Sequence, residues 1–564
     1  MKVYTLDKKK AAIRNAVAAA VNKCFEGVQI PDFSVEIPRE KEHGDFAVNA
    51  AMLLAKALRK PPREIAAQIA SEIDVSAIGA RAIDVAGAGF INFTVEPDYL
   101  RSVLDEISDM GDDYGNNDMG KGKKVMIEFV SANPTGPMHM GNARGGALGD
   151  TLANVLSKSG YLVSREFYIN DAGAQIDKFG RSLNARYIEI LQGEDAIDFP
   201  EDGYRGEDIR IHAQNYIDLY GDALLQVSAE QRKAALIEYA LKLNIAALHE
   251  TLERYKINYD VWFHESVLHQ DGEVDDVIDK LKQSGLTYEK DGALWIKTSQ
   301  FADEKSADRD KDDVLVRANG VPTYFAADIA YHRNKIEKRG FDKCINIWGA
   351  DHYGHVARMK GALSAIGIDS SKLEVIIIQL VRLMENGEIV RMSKRTGKMI
   401  TLTDLIDDIG VDAARFFFNM RAAGSHMDFD LSLAIKQSSD NPVFYAQYAH
   451  ARICSIISLA QSEGLALDKN ADTTLLQERQ EHALLLALAQ YPAEIRAAAA
   501  SFDPSSLTRY VTDLAAAFHS FYNACRVRDD DQIVAKARLR LCDATRSVIK
   551  NTLTLLGVSA PEKM

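Results

Sequence analysis

One stretch constrains this chain more than any other: VMIEFVSANPTGPMHMGNARGGALGD, from Val125 to Asp150. Its apolar, β-branched run, Val125 to Val130, stops at a turn-rich segment, Ser131 to Pro137, and restarts as a long helical pattern from Asn142 to Lys158. That order is strand, loop, helix. The small residues at the helix entrance, Gly141, Ala143, Gly145 and Gly146, are expected to let a ligand approach backbone N–H groups that lack intrahelical partners. The helix dipole adds partial positive charge, so the entrance suits a phosphate, and His139 can donate to a phosphoryl oxygen. A tight strand-to-helix turn with an incidental surface histidine would carry the same residues.

A second strand, Tyr161 to Ile169, a polar loop NDAGAQ and a further helix follow. Strands alternating with helices imply a parallel sheet, whose ligands sit at the carboxyl ends of strands. Residues of about 185 to 300 break the rhythm with acidic loops, including Pro200 to Asp208, and a mostly helical middle, and are read as an insertion. The sheet is expected to resume with GALWIKTS and DDVLVRANGVPTYFAADIAYH. In KCINIWGADHYGHVARM, Gly349, Asp351, His352 and His355 gather at a strand's carboxyl end, where a ribose and phosphates could be held. Their spacing does not match a zinc signature, and no metal site is assigned. A strand from Lys372 to Leu383 then leads to VRMSKRTGKMI, where Arg391, Lys394, Arg395 and Lys398 crowd around Ser393, Thr396 and Gly397. Such a loop is either simply solvated or a clamp on a polyphosphate; the anion site earlier in the same sheet favours the clamp.

At 564 residues the chain requires several domains, and its flanks differ from the centre. Residues 1–110 mix helices and short strands, the glycine- and charge-rich 111–124 reads as a linker, and residues 125–400 are the sheet domain. A connecting helical segment is expected over 401–440 and an all-helical bundle over 441–564. In the bundle, Tyr445, Tyr448 and Arg452 share one helix face, an arrangement equally suited to core packing and to stacking on unpaired RNA bases. A second aromatic and basic cluster, Phe521 to Arg528, and the basic helix KARLRLCDATRSVIK favour an RNA-facing bundle. The net charge of -14 argues against non-specific adhesion to nucleic acid, so no DNA partner is expected. No apolar run is long enough for a membrane span, and the N-terminus does not read as a signal peptide, so a cytoplasmic address is expected. Five scattered cysteines without a C-x-x-C pair argue against disulfides and a structural zinc.

With both loops in view, the chain resembles the class I aminoacyl-tRNA synthetases, whose signatures HIGH and KMSKS appear here as HMGN (His139 to Asn142) and RMSKR (Arg391 to Arg395). It is most similar to the arginyl-tRNA synthetase family, through IEFVSANPTGPMHMGNARGGALGD, YINDAGAQI, PEDGYRGE, YFAADIAYH, WGADHYGH, NPVFYAQYAHARI and LLGVSAPEKM. The resemblance implies a Rossmann-like α/β catalytic domain, an α+β N-terminal domain that contacts tRNA, and an all-α anticodon-binding bundle. It also implies a two-step reaction in which arginine and ATP give arginyl-adenylate and pyrophosphate, and tRNA(Arg) then takes the arginyl group. By the same resemblance, ATP arrives with Mg2+ and tRNA is generally needed for the first step; a monomer is expected, though the sequence does not fix the oligomeric state. Catalysis is expected from His139, Lys394 and Asn142, and ATP binding from Gly136, His139, Gly141, Asn142, Gly349, Asp351, His352, Ser393 and Lys394. Glu128, Asn133, Tyr324 and Asp328 are expected to hold arginine, because a planar, permanently charged guanidinium needs carboxylates and acceptors. Tyr445, Tyr448 and Arg452 are expected to contact tRNA. Two departures stand out: Asn142 replaces the second histidine of HIGH and Arg391 the first lysine of KMSKS. Another class I synthetase, a smaller nucleotidyltransferase or a catalytically silent RNA-binding paralogue are the rival readings.

Overall fold

The structure is a computed structural model that describes residues 3–38, 40–301, 311–390 and 400–564. Its centre is a five-stranded sheet, all of whose pairings are parallel. In chain order the strands are β1 (Lys124–Glu128), β2 (Leu162–Ile169), β3 (Val261–His264), β4 (Lys343–Gly349) and β5 (Leu373–Ile378), and they lie side by side as β5-β4-β1-β2-β3. The order reverses at β1, so the crevice beyond the carboxyl ends of β1 and β4 is where such a sheet takes ligands. Helix α1 (Gly141–Lys158) packs on the sheet by eliminating side chains: a Cβ at Gly149 would lie 2.3 Å from the Phe129 ring.

Between β2 and β3 the helices Gly173–Gln192, Glu207–Tyr220 and Ala229–Arg254 close on a small core of their own, around Phe179, Leu183, Tyr187 and Leu236. The expected insertion over about 185 to 300 differs from this at both ends. Its first helix starts earlier, and VWFH within it is an edge strand of the central sheet, too short to announce itself by periodicity. The strands Ala293–Ile296 and Asp313–Val316, expected to resume the parallel sheet, instead form a separate antiparallel one with Thr287–Lys290.

The expected strand Lys372 to Leu383 is two strands. After β5 the chain turns, and Val381–Glu385 joins a three-stranded sheet with Glu388–Val390 and Met427–Asp430. The segment expected to be helical over 401–440 therefore contains a strand as well as helices Leu402–Ile409 and Val411–Phe418.

The first unit is a four-stranded antiparallel sheet, ordered Val35–Glu36, Phe46–Val48, Phe90–Val95, Ala80–Ala86, with helices including Thr5–Cys24 and Pro62–Ser71. The glycine-rich stretch after it is no loose tether. Tyr114 is fully buried in it, stacks at 5.8 Å on Tyr491 and donates to the Leu488 carbonyl at 3.1 Å. One aromatic side chain outweighs the local composition. The C-terminal bundle consists of helices Pro442–Ser462, Arg479–Ser501, Ser506–Ala524 and Gln532–Leu555. Among the described residues no helix is long and apolar enough to cross a membrane.

Arg415 ties these parts together from a fully buried position. It donates to Asp150 of α1 at 2.5 Å, to the Leu556 carbonyl at 2.9 Å and to the Tyr255 carbonyl at 3.1 Å. Gly557 makes room for it, since a Cβ there would lie 2.1 Å from the Arg415 Nε.

Candidate active site

Two cavities meet over the carboxyl ends of the sheet strands, one of about 900 Å3 and one of about 580 Å3, sharing Val130, Ser131, Asn133 and Gln175 as walls. The shared wall is strained. Val130 and Ser131 leave β1 with φ of 69° and 41°, a region that costs a non-glycine residue roughly 1–3 kcal/mol and that clusters at functional sites.

The larger cavity brings together all four expected arginine residues, Glu128, Asn133, Tyr324 and Asp328, along with Gly349 and His352. Their surroundings differ. Glu128, at the end of β1, accepts from Lys335 Nζ at 2.6 Å, from Asn346 Nδ2 at 2.7 Å and from Ser131 Oγ at 3.1 Å. Its charge is balanced from within the chain by a fully buried ammonium. His332 completes this network. Burial and the neighbouring Lys335 hold its imidazole well below the usual pKa, so it stays neutral, donating from Nδ1 to the Asp328 carbonyl at 2.8 Å.

Asp328, on helix Tyr324–Arg333, has His355 Nε2 at 3.2 Å as its ion-pair partner, and Tyr324 on the first turn of that helix is 67% exposed at the cavity. A further carboxylate faces the same space without having been expected there: Glu265, which follows β3. Tyr168 Oη donates to it at 2.9 Å and His269 Nε2 lies 3.6 Å away. Burial raises the Glu265 carboxyl above its ordinary pKa, and the nearby Asp328 raises it further against the opposing pull of the Tyr168 hydrogen bond. Two carboxylates, Glu265 buried and Asp328 with its side chain 30% exposed, thus share a wall with only histidines as ion-pair partners among the described residues. Arg317 also lines this cavity, with its side chain exposed.

The smaller cavity is walled by Gly136, His139 and Asn142 on one side and by Tyr204, Arg205 and Asp208 of the acidic loop on the other. Gly141 faces open space, since nothing lies within 4 Å of a Cβ built on it. Gly145 and Gly146 play a different part from the one expected: a Cβ on Gly146 would meet Ile257 at 2.9 Å and one on Gly145 would meet Ile378 at 3.4 Å. They let α1 lie close to its neighbours and do not receive a ligand. Asn142 accepts from the His139 backbone N–H at 3.1 Å, so the residue that replaces a histidine braces the turn.

Ser393, Lys394 and Arg391 lie outside the described residues. The chain that follows them is anchored beside His139: Met140 N–H donates to the Ile400 carbonyl at 3.1 Å, Leu402 N–H donates to Met138 at 3.0 Å, and His139 bridges Thr401. Asp351 is not brought to either cavity; its side chain is 81% exposed on the turn after β4.

In the bundle, Arg452 donates to Tyr448 Oη at 3.0 Å and lies 4.5 Å over the Tyr522 ring, while Tyr445 and Tyr448 flank His519 at 5.1 and 5.9 Å. Tyr448 is 38% exposed, so this is a surface platform of rings and one guanidinium. The helix KARLRLCDATRSVIK is not RNA-facing as expected. Arg538 and Arg540 are buried in it, paired with Glu481 and with Asp105. Phe521 is likewise core.

The likeness to known proteins follows the same division. Residues 106–438 match the family described as tRNA synthetases class I (R), catalytic domain; residues 11–95 match the arginyl tRNA synthetase N terminal domain; residues 446–564 match the DALR anticodon binding domain. The arginine–tRNA ligase of Ruminiclostridium cellulolyticum is 55% identical over 98% of this chain and 98% of its own length. That of Caldanaerobacter subterraneus is 53% identical over 99% of each. Among solved structures, a putative arginyl-tRNA synthetase from Campylobacter jejuni superposes with a TM-score of 0.74 at 33% identity, over 83% of this chain and all (100%) of that one. The Thermus thermophilus arginyl-tRNA synthetase shares the fold, with a TM-score of 0.75 at 23% identity over 98% of this chain and 100% of that one. With the sheet, both cavities and these matches in agreement, the chain belongs to the arginyl-tRNA synthetase family of class I aminoacyl-tRNA synthetases.

Proposed function

We propose that the two cavities divide the ATP-dependent ligation of L-arginine to tRNA(Arg) between them, the larger selecting arginine and bordering the nucleoside of ATP, the smaller holding its phosphates. The observation that carries this is the Glu265–Asp328 wall, a buried and a part-buried carboxylate whose ion-pair partners among the described residues are histidines. A substrate guanidinium supplies the missing charge in fork geometry. Tyr324 covers it and Asn133 takes the backbone groups of the amino acid. Glu128, already balanced by Lys335, has a narrower part: it orients Ser131 and Asn346 in the wall.

The substrate carboxylate then faces the shared wall and the ATP side. Its oxygen attacks the α-phosphorus, the bond from that phosphorus to the bridging oxygen breaks, and pyrophosphate leaves with Mg2+, which enters bound to ATP. No general base is required, so the protein contributes position and charge. His139 and Lys394 stabilise the five-coordinate phosphorus. Gly136, Gly141 and Asn142 cradle the phosphates, and Gly349 and His352 border the nucleoside. A ribose hydroxyl of the terminal adenosine of tRNA next attacks the arginyl carbonyl and releases AMP. Tyr445, Tyr448 and Arg452 offer a stacking platform to unpaired tRNA bases. A monomeric, cytoplasmic enzyme is the reading for assembly and location.

Pyrophosphate exchange into ATP, run with each amino acid and with and without tRNA(Arg), tests the proposal. Exchange driven by arginine alone among the amino acids is expected. Exchange with another amino acid, or none even with tRNA, would overturn it.

A further inference from the structure

The loop that carries His139 is held from a direction the reaction chemistry does not require. Asn244, on helix Ala229–Arg254 of the inserted bundle, donates from Nδ2 to the Pro134 carbonyl at 2.9 Å. With that amide committed as donor, its Oδ1 is free to accept, and His212 Nε2 of helix Glu207–Tyr220 lies 2.8 Å from it. The order of donors is thereby settled: His212 Nε2–H to Asn244 Oδ1, then Asn244 Nδ2–H to Pro134 O. The Nδ1 atom of His212 is buried without a hydrogen-bond partner, which leaves this chain as the use of the imidazole.

Pro134 is a sensitive place to hold. It lies between Asn133, which lines both cavities, and Gly136 and His139, which line the ATP cavity. Upstream, Val130 and Ser131 are in a left-handed conformation that the loop does not favour on its own. A strained segment persists only when its surroundings over-determine it, and a side-chain hydrogen bond to a buried proline's carbonyl is such a determinant.

We propose that Asn244, oriented by His212, is a positioning residue for adenylate formation, so that the inserted bundle is part of the catalytic apparatus and not only a surface beside it. The inference rests on the adenylate-forming reading above. Removing the donor releases the Pro134 carbonyl, lets the strained loop relax, and moves His139 away from the phosphorus. A displacement of that kind lowers the rate of the chemical step, whereas loss of a docking surface lowers affinity for tRNA.

The test compares the parent chain with Asn244→Asp, which keeps the volume and loses the donor, and with Asn244→Ala, His212→Ala and His212→Asn. Arginine-dependent pyrophosphate exchange is measured at saturating tRNA, alongside tRNA affinity and thermal unfolding. Both Asn244 variants are expected to lose about tenfold or more in kcat with tRNA affinity unchanged within twofold. His212→Ala should lose part of the rate and His212→Asn, which can still donate to Asn244, should recover it. A kcat for Asn244→Asp within twofold of the parent would overturn the inference. So would equal impairment of His212→Asn and His212→Ala, or a rate loss fully accounted for by a lower unfolding temperature. A parent chain without arginine-dependent exchange would instead overturn the reading of the site, a result distinct from any of these.

Discussion

Two carboxylate sites in this molecule, around the buried Asp150 and the buried Glu265, are built in opposite ways. Asp150 receives Arg415 at 2.5 Å and Arg165 at 3.0 Å, and Arg415 is fully buried with its remaining donors on backbone carbonyls. Glu265 and Asp328, in the larger cavity, have His269 and His355 at 3.6 and 3.2 Å. Two other buried carboxylates also receive guanidinium partners from the chain, Arg339 to Glu166 and Arg538 to Glu481, while Glu128 and Glu273 receive the ammonium groups of Lys335 and Lys338. Where a guanidinium comes from the chain, the pair locks elements together; where none does among the described residues, the carboxylates are proposed to take the guanidinium of the substrate. Buried charge lacking a strong partner costs stability, and a binding site is where that cost serves a purpose.

The contrast can be broken from either side. The largest effect is expected at the junction: Arg415→Met should destabilise the protein by about 3–5 kcal/mol in chemical denaturation, because Asp150 and several carbonyls lose their donor. Exchange activity per folded molecule should survive. Asp328→Asn should act in the reverse sense, lowering kcat/KM for arginine by roughly 10²–10³-fold with the unfolding midpoint little changed. If both variants lose stability and neither loses arginine use selectively, the two sites are not different in kind.

Glu265→Gln sharpens the comparison through pH. The Glu265 carboxyl is raised by burial, so the folded state holds more protons than the unfolded chain between the ordinary and the raised value. Stability attributable to this group is therefore present at low pH and declines as pH rises through that window. The variant should unfold roughly 1–3 °C higher than the parent at pH 8, match it near pH 4, and use arginine about 10–100-fold less well. A lower unfolding temperature at pH 8 would show that Glu265 is structurally paired like Asp150. The smallest effect belongs to the bundle: Tyr448→Ala should raise the Kd for tRNA by roughly tenfold, the worth of one stacked base, and leave exchange at saturating tRNA unaltered.

The parts of the site written in one continuous stretch were legible in the sequence. His139, Asn142 and the helix behind them follow from a strand, a turn-rich run and a helical period, and Asp328 follows from its place near the start of a helix. Glu265 escaped because it belongs to no motif. Its signal was positional: it stands directly after VWFH, and an acidic residue at the carboxyl end of a parallel strand points into the crevice. That signal needed the four-residue edge strand to be recognised first. Charge read without its partners misled in the opposite direction. Arg538 and Arg540 look like an RNA-binding face until Glu481 and Asp105, far away in the chain, are seen to neutralise them. The same holds for Glu128, whose partner Lys335 comes from the turn that extends the Asp328 helix.

The larger cavity is proposed to select the guanidinium of arginine, and L-citrulline isolates that selection, being arginine with that group replaced by a neutral urea of the same shape. Calorimetric titration of the protein with each ligand should give a Kd for arginine at least about 10³-fold lower than for citrulline, since burying the Glu265–Asp328 wall against a neutral group leaves its charge uncompensated. Affinities within tenfold of each other would contradict the account and place the selection of arginine elsewhere.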